Sequence, residues 1–220
     1  MLANASFEAM VVRVIVIAVF LLVAFPIHEF SHALAAYRLG DSTARLFGRL
    51  TLNPIVHFDP IGGSLLAITL LLGSGLAFGW AKPTPVNPRN LQGGRWGEAI
   101  VAAAGPISNL VLAVVAALPL RYMLAAGMDL PLVEEALALL VSINLLLMVF
   151  NLIPVPPLDG GAVLFAFLPP QTAWQLRPIL AQYGLVILIL LIFPIFGGTS
   201  LLGEIITSVV GPLYSLLTGL

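Results

Sequence analysis

Long apolar runs, separated by short polar or proline-rich segments, occupy most of this chain. Each run is close to the length of about 20 residues that an α-helix needs to cross the hydrocarbon core of a bilayer. The pattern contains no internal repeat and no low-complexity tract. We therefore predict one all-α domain over residues 1–220, a polytopic bundle of about five to six membrane-spanning segments. The predicted helices cover residues 9–38, 98–120, 132–152, 179–196 and 201–217.

Proline and glycine mark the ends of these helices. Pro154-Val155-Pro156-Pro157 ends the helix over 132–152, because proline lacks an N–H group and clashes with the preceding turn. Asp159-Gly160-Gly161 follows and leads into a short helix. Thr51-Leu52-Asn53-Pro54 is typical of short extended structure and turns. Within the first helix, Pro26 removes a backbone hydrogen bond and predicts a kink.

The composition places the chain in lipid. Hydrophobic residues make up 60% of it and charged residues only 9%, whereas soluble domains are about 45–50% apolar and about 25% charged. The formal net charge of −1 provides no basic field for nucleic acid. Because the chain has no cysteine, a metal site would have to use His, Asp or Glu.

The basic residues predict the orientation of the segments, since cytoplasmic loops carry an excess of Lys and Arg. They cluster on both sides of the apolar segment 61–79, at Arg38, Arg45, Arg49, Lys82, Arg89 and Arg95. Both ends of that segment should therefore lie in the cytoplasm. We predict a re-entrant hairpin that turns at Gly73–Gly75, with an ordinary spanning helix as the alternative.

The later helices follow from this orientation. The helix over 98–120 would run outward and the helix over 132–152 would return, which brings Asp159 to the cytoplasmic side. The first helix carries its histidines toward the same side. We expect an integral protein of the plasma membrane of a prokaryote, with its active site toward the cytoplasm and the short extended segments near that face.

The sequence His28-Glu29-Phe30-Ser31-His32 carries the candidate chemistry. Two histidines at i and i+4 lie on one helix face and can bind one metal ion, while Glu29 can deprotonate a water at that ion. The alternative is a pair of histidines that simply pack in a bundle. An ionisable group at mid-membrane costs about 2.5–3.5 kcal/mol, and three within five residues favour a metal that compensates them.

Spacing alone leaves the third metal ligand open. His57, Asp59, Glu98 and Asp159 are the candidates. His57 and Asp59 lie in an interfacial loop, where Asp59-Pro60 also suits a turn. Asp159 follows a proline-stiffened break, and it could equally be the N-cap of the short helix after it.

Three motifs in this order resemble the site-2 protease family of intramembrane metalloproteases: His28–His32, Gly105-Pro106-Ile107-Ser108-Asn109 and Asn151–Gly160. The resemblance covers roughly residues 20–165. It implies a Zn²⁺ ion held by His28, His32 and Asp159, Glu29 as general base, and membrane-spanning proteins as substrates. It also implies that Asn109 lies near the site and donates to the substrate or the oxyanion. Taken alone, Asn109 fits a polar contact between membrane helices.

Larger members of that family carry a helix before the metal-binding helix and a soluble peptide-binding domain. We expect a minimal core here, in which 61–79 or the last two apolar stretches control access. Two other functions remain: a metal-binding or metal-transporting membrane protein, and an inactive homologue that binds membrane helices. Neither of them requires a glutamate directly after the first histidine.

Overall fold

The structure is a computed structural model that describes residues 2–72, 82–193 and 200–220. These ranges contain ten α-helices and no strand. The helices are α1 (Leu2–Val19), α2 (Phe25–Arg38), α3 (Thr43–Leu46), α4 (Pro54–His57), α5 (Pro60–Leu72), α6 (Arg95–Ala125), α7 (Pro131–Asn151), α8 (Asp159–Phe167), α9 (Pro170–Ile192) and α10 (Leu201–Thr218). The predicted all-α membrane fold is confirmed.

Five of the described helical segments are long and apolar enough to cross a membrane. They are Met10–Arg38, Arg95–Ala125, Pro131–Asn151, Pro170–Ile192 and Leu201–Thr218. The sequence predicts the start of α9 at residue 179, where the apolar run begins. The helix begins instead at Pro170, because proline suits the first turn and the polar residues after it are compatible with a helix.

The first spanning segment is interrupted by a π-helical turn at Phe20–Ala24. The N–H of Phe25 donates to the carbonyl of Phe20, five residues earlier. Pro26 follows directly, and its ring provides no N–H for the preceding turn. The widened turn therefore lies where the sequence predicts a kink, one turn before the first histidine.

The α6 helix lies at the centre of the bundle, where it packs against α2, α7 and α8. Ala113 and Ala117 on α6 are buried against Val141 and Leu145 on α7. Small residues let two membrane helices approach closely. This central position brings α2 and α8, which carry the candidate ligands, to the same part of α6.

The two ends of the predicted hairpin lie side by side. The N–H of Lys82 donates to the carbonyl of His57 at 3.2 Å, so the residue after the segment lies next to the loop before it. The helix α5 covers the first part of the segment, and the predicted turn at Gly73–Gly75 lies outside the described residues. The hairpin stays a prediction that this contact supports.

A buried carboxylate fastens the polar loop after residue 82 to the end of α2. Asp41 Oδ2 accepts the N–H of Asn87 at 2.7 Å, and Oδ1 accepts Asn90 Nδ2 at 3.1 Å. The hydroxyl of Thr43 also donates to Oδ1, at 2.5 Å. Burial alone would raise the pKa of Asp41, but these hydrogen bonds outweigh it and hold the pKa below its ordinary value.

We expect Asp41→Asn to lower the melting temperature by several degrees at pH 7. A lowered carboxyl pKa in the folded state gives stability that is present above the unfolded pKa of about 3.9 and lost as the pH falls through the folded pKa. The deficit should therefore shrink below about pH 4, as measured by thermal unfolding in detergent. Asp129→Asn, at an exposed position, is the control. An equal deficit at both pH values would contradict this role of the charge.

Candidate metal centre

Two imidazoles and one carboxylate converge beside α6. His28 and His32 lie one turn apart on α2, and their Nε2 atoms are 3.1 Å apart. Asp159 is the first residue of α8, and its Oδ2 lies 3.5 Å from His28 Nε2 and 3.4 Å from His32 Nε2. Among the described residues, these three form the one group of His, Asp and Glu that could hold a metal ion.

The backbone around Asp159 explains how a residue so distant in sequence reaches the histidines. Leu158 is extended and occupies the N-cap of α8, so Asp159 lies in the first helical turn and not at the cap. A Cβ atom at Gly160 would lie 2.2 Å from the carbonyl oxygen of Leu152. Only glycine at this position lets the start of α8 pack onto the end of α7.

The other ring nitrogen of each histidine is held by α6. His28 Nδ1–H donates to Asn109 Oδ1 at 2.5 Å, and His32 Nδ1–H donates to the carbonyl of Val101 at 2.7 Å. These hydrogen bonds select the tautomer whose Nε2 lone pair faces the other ligands, as in many metal-binding histidines.

A chain of amide contacts extends from His28 to α7. Asn109 Nδ2 donates to Asn144 Oδ1 at 3.1 Å, and Asn144 Nδ2 donates to the carbonyl of Leu140 at 2.9 Å. Both ends of the Asn109 amide are therefore engaged, which favours a role in orienting His28. Donation to a substrate stays a prediction. The sequence analysis missed Asn144, and the signal it left is an amide within an apolar run.

The arrangement fits a cation. Asp159 Oδ2 is buried without a hydrogen-bond partner, and it faces two imidazole lone pairs. A Cβ atom at Gly105 would lie 2.3 Å from His32 Nε2 and 2.6 Å from His28 Nε2, so glycine keeps this space free. Two nitrogen ligands, one carboxylate oxygen and room beside them suit a zinc ion that retains a free position.

Glu29 is buried next to the cluster but is not part of the ligand group. Its Oε2 accepts a hydrogen bond from the hydroxyl of Thr84 at 2.7 Å. A carboxylate next to a candidate metal site, held by a neutral donor, has the chemistry to accept a proton. Nothing in the sequence analysis pointed to Thr84, because its contact with Glu29 spans distant parts of the chain.

The other candidate ligands have different partners. His57 is buried, and its Nε2–H donates to the carbonyl of Thr51 at 2.7 Å. The carboxylate of Asp59 accepts two backbone N–H groups at the start of α5, the turn role that the sequence left open. Glu98 pairs with Arg177 at 2.6 Å.

Two buried histidines and a partly buried aspartate lie beside a buried glutamate in a bundle of apolar helices. This arrangement defines an integral membrane protein with a candidate metalloenzyme centre. The chain matches the family model of peptidase family M50 over residues 15–129 and 126–191. It belongs to that family, and the resemblance to site-2 proteases is confirmed.

Curated relatives agree with this assignment. The chain is 38% identical over 180 residues to “Putative zinc metalloprotease YwhC” of Bacillus subtilis (strain 168). This alignment covers 80% of this chain and 79% of that protein. It is 34% identical over 180 residues to “Putative zinc metalloprotease Rip2” of Mycolicibacterium smegmatis, covering 76% of this chain. It spans 63% of Rip2, less than two thirds of that protein's length. No solved structure matches the chain.

Proposed function

We propose that this chain is a zinc metalloprotease that hydrolyses peptide bonds in or near the membrane-spanning segments of other proteins. The observation that carries the proposal is that Asp159 converges on His28 and His32, which lie beside Glu29 on a candidate membrane helix of a family M50 peptidase. The bilayer supplies the surroundings of both enzyme and substrate.

Each residue of the site has a distinct role in this proposal. His28, His32 and Asp159 would hold the zinc ion, which when bound polarises the scissile carbonyl and makes water more acidic. Glu29 accepts the proton of the attacking water and passes it to the nitrogen of the leaving amine. The amide chain through Asn109 keeps the His28 ring in its ligating orientation.

The substrate has to leave the helical state before it is cut, because the hydrogen bonds of a helix engage its own carbonyls. We expect the reconstituted protein to cleave a single-span test substrate that carries a Gly-Pro pair near the cytoplasmic end of its span. An uninterrupted Leu-rich span should resist. The measurement is product formation in proteoliposomes, with a zinc chelator and zinc re-addition as controls. Zinc flux across the vesicles without cleavage of either substrate would favour the transporter.

The cytoplasmic placement of the site is also a proposal, and the chain's lack of cysteine makes it testable. Single cysteines at Leu46, Gln92 and Asp129 occupy exposed positions in three connecting segments. With both flanks of the 61–79 hairpin in the cytoplasm, a membrane-impermeant thiol reagent on intact cells should label only the Asp129 variant. Labelling at Gln92 but not at Asp129 would show that 61–79 spans the membrane.

A further inference from the structure

We infer that Thr84 is a positioning residue for Glu29, and that the Pro83-Thr84-Pro85 segment holds the Thr84 hydroxyl against the Glu29 carboxylate. The inference rests on the proposed function, in which Glu29 is the general base. It adds a residue from a distant loop to the machinery of the reaction.

The contact is short and directed. Thr84 Oγ1 lies 2.7 Å from Glu29 Oε2 and 3.3 Å from the Glu29 backbone oxygen. A hydroxyl has one proton to donate, and the shorter approach to a charged acceptor assigns it to the carboxylate. Because Oε2 accepts this hydrogen bond, Oε1 is the oxygen that would accept the proton in the proposed mechanism.

The backbone around Thr84 is restricted from both sides. The pyrrolidine rings of Pro83 and Pro85 fix φ at their own positions, and a residue that precedes proline is kept out of the helical region. We therefore expect an extended backbone at Thr84, and the structure places this residue in a segment, 82–87, that belongs to no helix or strand. An extended residue between two prolines loses little conformational freedom when it meets its partner.

Two hydrogen bonds anchor this segment to the rest of the protein. On one side the Lys82 N–H donates to the carbonyl of His57, and on the other the Asn87 N–H donates to the buried Asp41. The loop is thus held without help from Thr84. The hydrogen bond from the Thr84 hydroxyl to Glu29 is therefore not needed to hold the loop in place.

The test is a pair of substitutions with opposite expectations. Thr84→Val keeps the β-branched shape and removes the hydroxyl, and it should lower kcat by about tenfold to a hundredfold with KM changed by less than about twofold. Thr84→Ser retains the hydroxyl and should recover kcat to within about threefold of the parent. Thr207→Val is the matched control, because the Thr207 hydroxyl bonds only to carbonyls of its own helix.

A second readout does not depend on activity. In metal-free protein, the infrared band of the Glu29 carboxylate is the band that is lost in Glu29→Gln. This band should shift in Thr84→Val and keep its frequency in Thr84→Ser. Zinc content and melting temperature should match the parent in both variants. If Thr84→Val does not fold, Thr84→Ala takes its place in the same comparison.

The outcomes separate this inference from the proposed function. Full activity in Thr84→Val, or an equal loss in Thr84→Ser, overturns the positioning role while Glu29→Gln remains inactive. An unshifted carboxylate band overturns it as well. Cleavage at the parent rate by the Glu29→Gln variant removes the general base that the inference needs. The absence of zinc-dependent cleavage by the parent protein overturns the proposed function itself, whatever Thr84 does.

Discussion

Replacing Glu29 with glutamine is expected to lower the rate of cleavage by about a hundredfold to ten-thousandfold while zinc stays bound. Glutamine has the same size and can still accept the Thr84 hydrogen bond, but its amide cannot take a proton from water. Glu29 lies outside the group of three candidate ligands, so an ion bound there would keep all three. The measurements are single-turnover cleavage of the Gly-Pro test substrate and zinc content by elemental analysis.

Glu135→Gln, at an exposed position on α7, controls for the loss of a negative charge. Cleavage at the parent rate in the Glu29 variant would remove the general base from the mechanism. Loss of zinc together with activity would instead make Glu29 part of the metal site. A transporter would show zinc flux that survives the substitution.

The second large effect concerns the ligands. Asp159→Asn and His32→Ala should each weaken zinc binding by more than about a hundredfold, because a ligand replaced directly costs more than the 10–100-fold typical of residues behind the ligands. The neutral amide of asparagine is a poor ligand, and alanine offers none. Competition with a zinc-sensitive chelator measures the affinity.

His57→Ala is the control, because His57 is a buried histidine whose Nε2–H donates to the carbonyl of Thr51. It should retain zinc at the parent ratio, counted per folded molecule. Zinc kept by the Asp159 variant and lost by the His57 variant would make His57 the third ligand. That result would also require the loop before α5 to move toward α2.

The spanning helices could be predicted from the sequence because apolar run lengths match the thickness of a bilayer. Their ends could not. The helix α9 extends back to Pro170 through polar residues such as Gln171 and Arg177, which are as compatible with a helix as with a loop. An apolar run marks the part of a helix inside the hydrocarbon, and the helix itself continues into the interface.

Some residues of the candidate site could likewise be predicted from the sequence, and others could not. His28, Glu29 and His32 stand out in the sequence because charged and ligating groups are costly in a membrane helix. Asp159 could be chosen only through the family resemblance, since spacing left it as a cap or a ligand. Asn144 and Thr84 carry no charge and contact the site from distant segments. The packing of α6 with α2 and α7 reveals the role of Asn144, and the contact of the 82–87 loop with α2 reveals that of Thr84.

The two imidazoles and the carboxylate of the centre come from opposite halves of the chain. During synthesis α2 is made early, whereas α8 follows only after α6 and α7. A nascent chain therefore holds two histidines and a glutamate before it contains Asp159, the third ligand of the proposed centre. Once Asp159 is in place, an ion held by the three proposed ligands would be a cross-link that closes a long loop of the chain. In the proposed mechanism, completion of the bundle and assembly of the metal centre would then be one event.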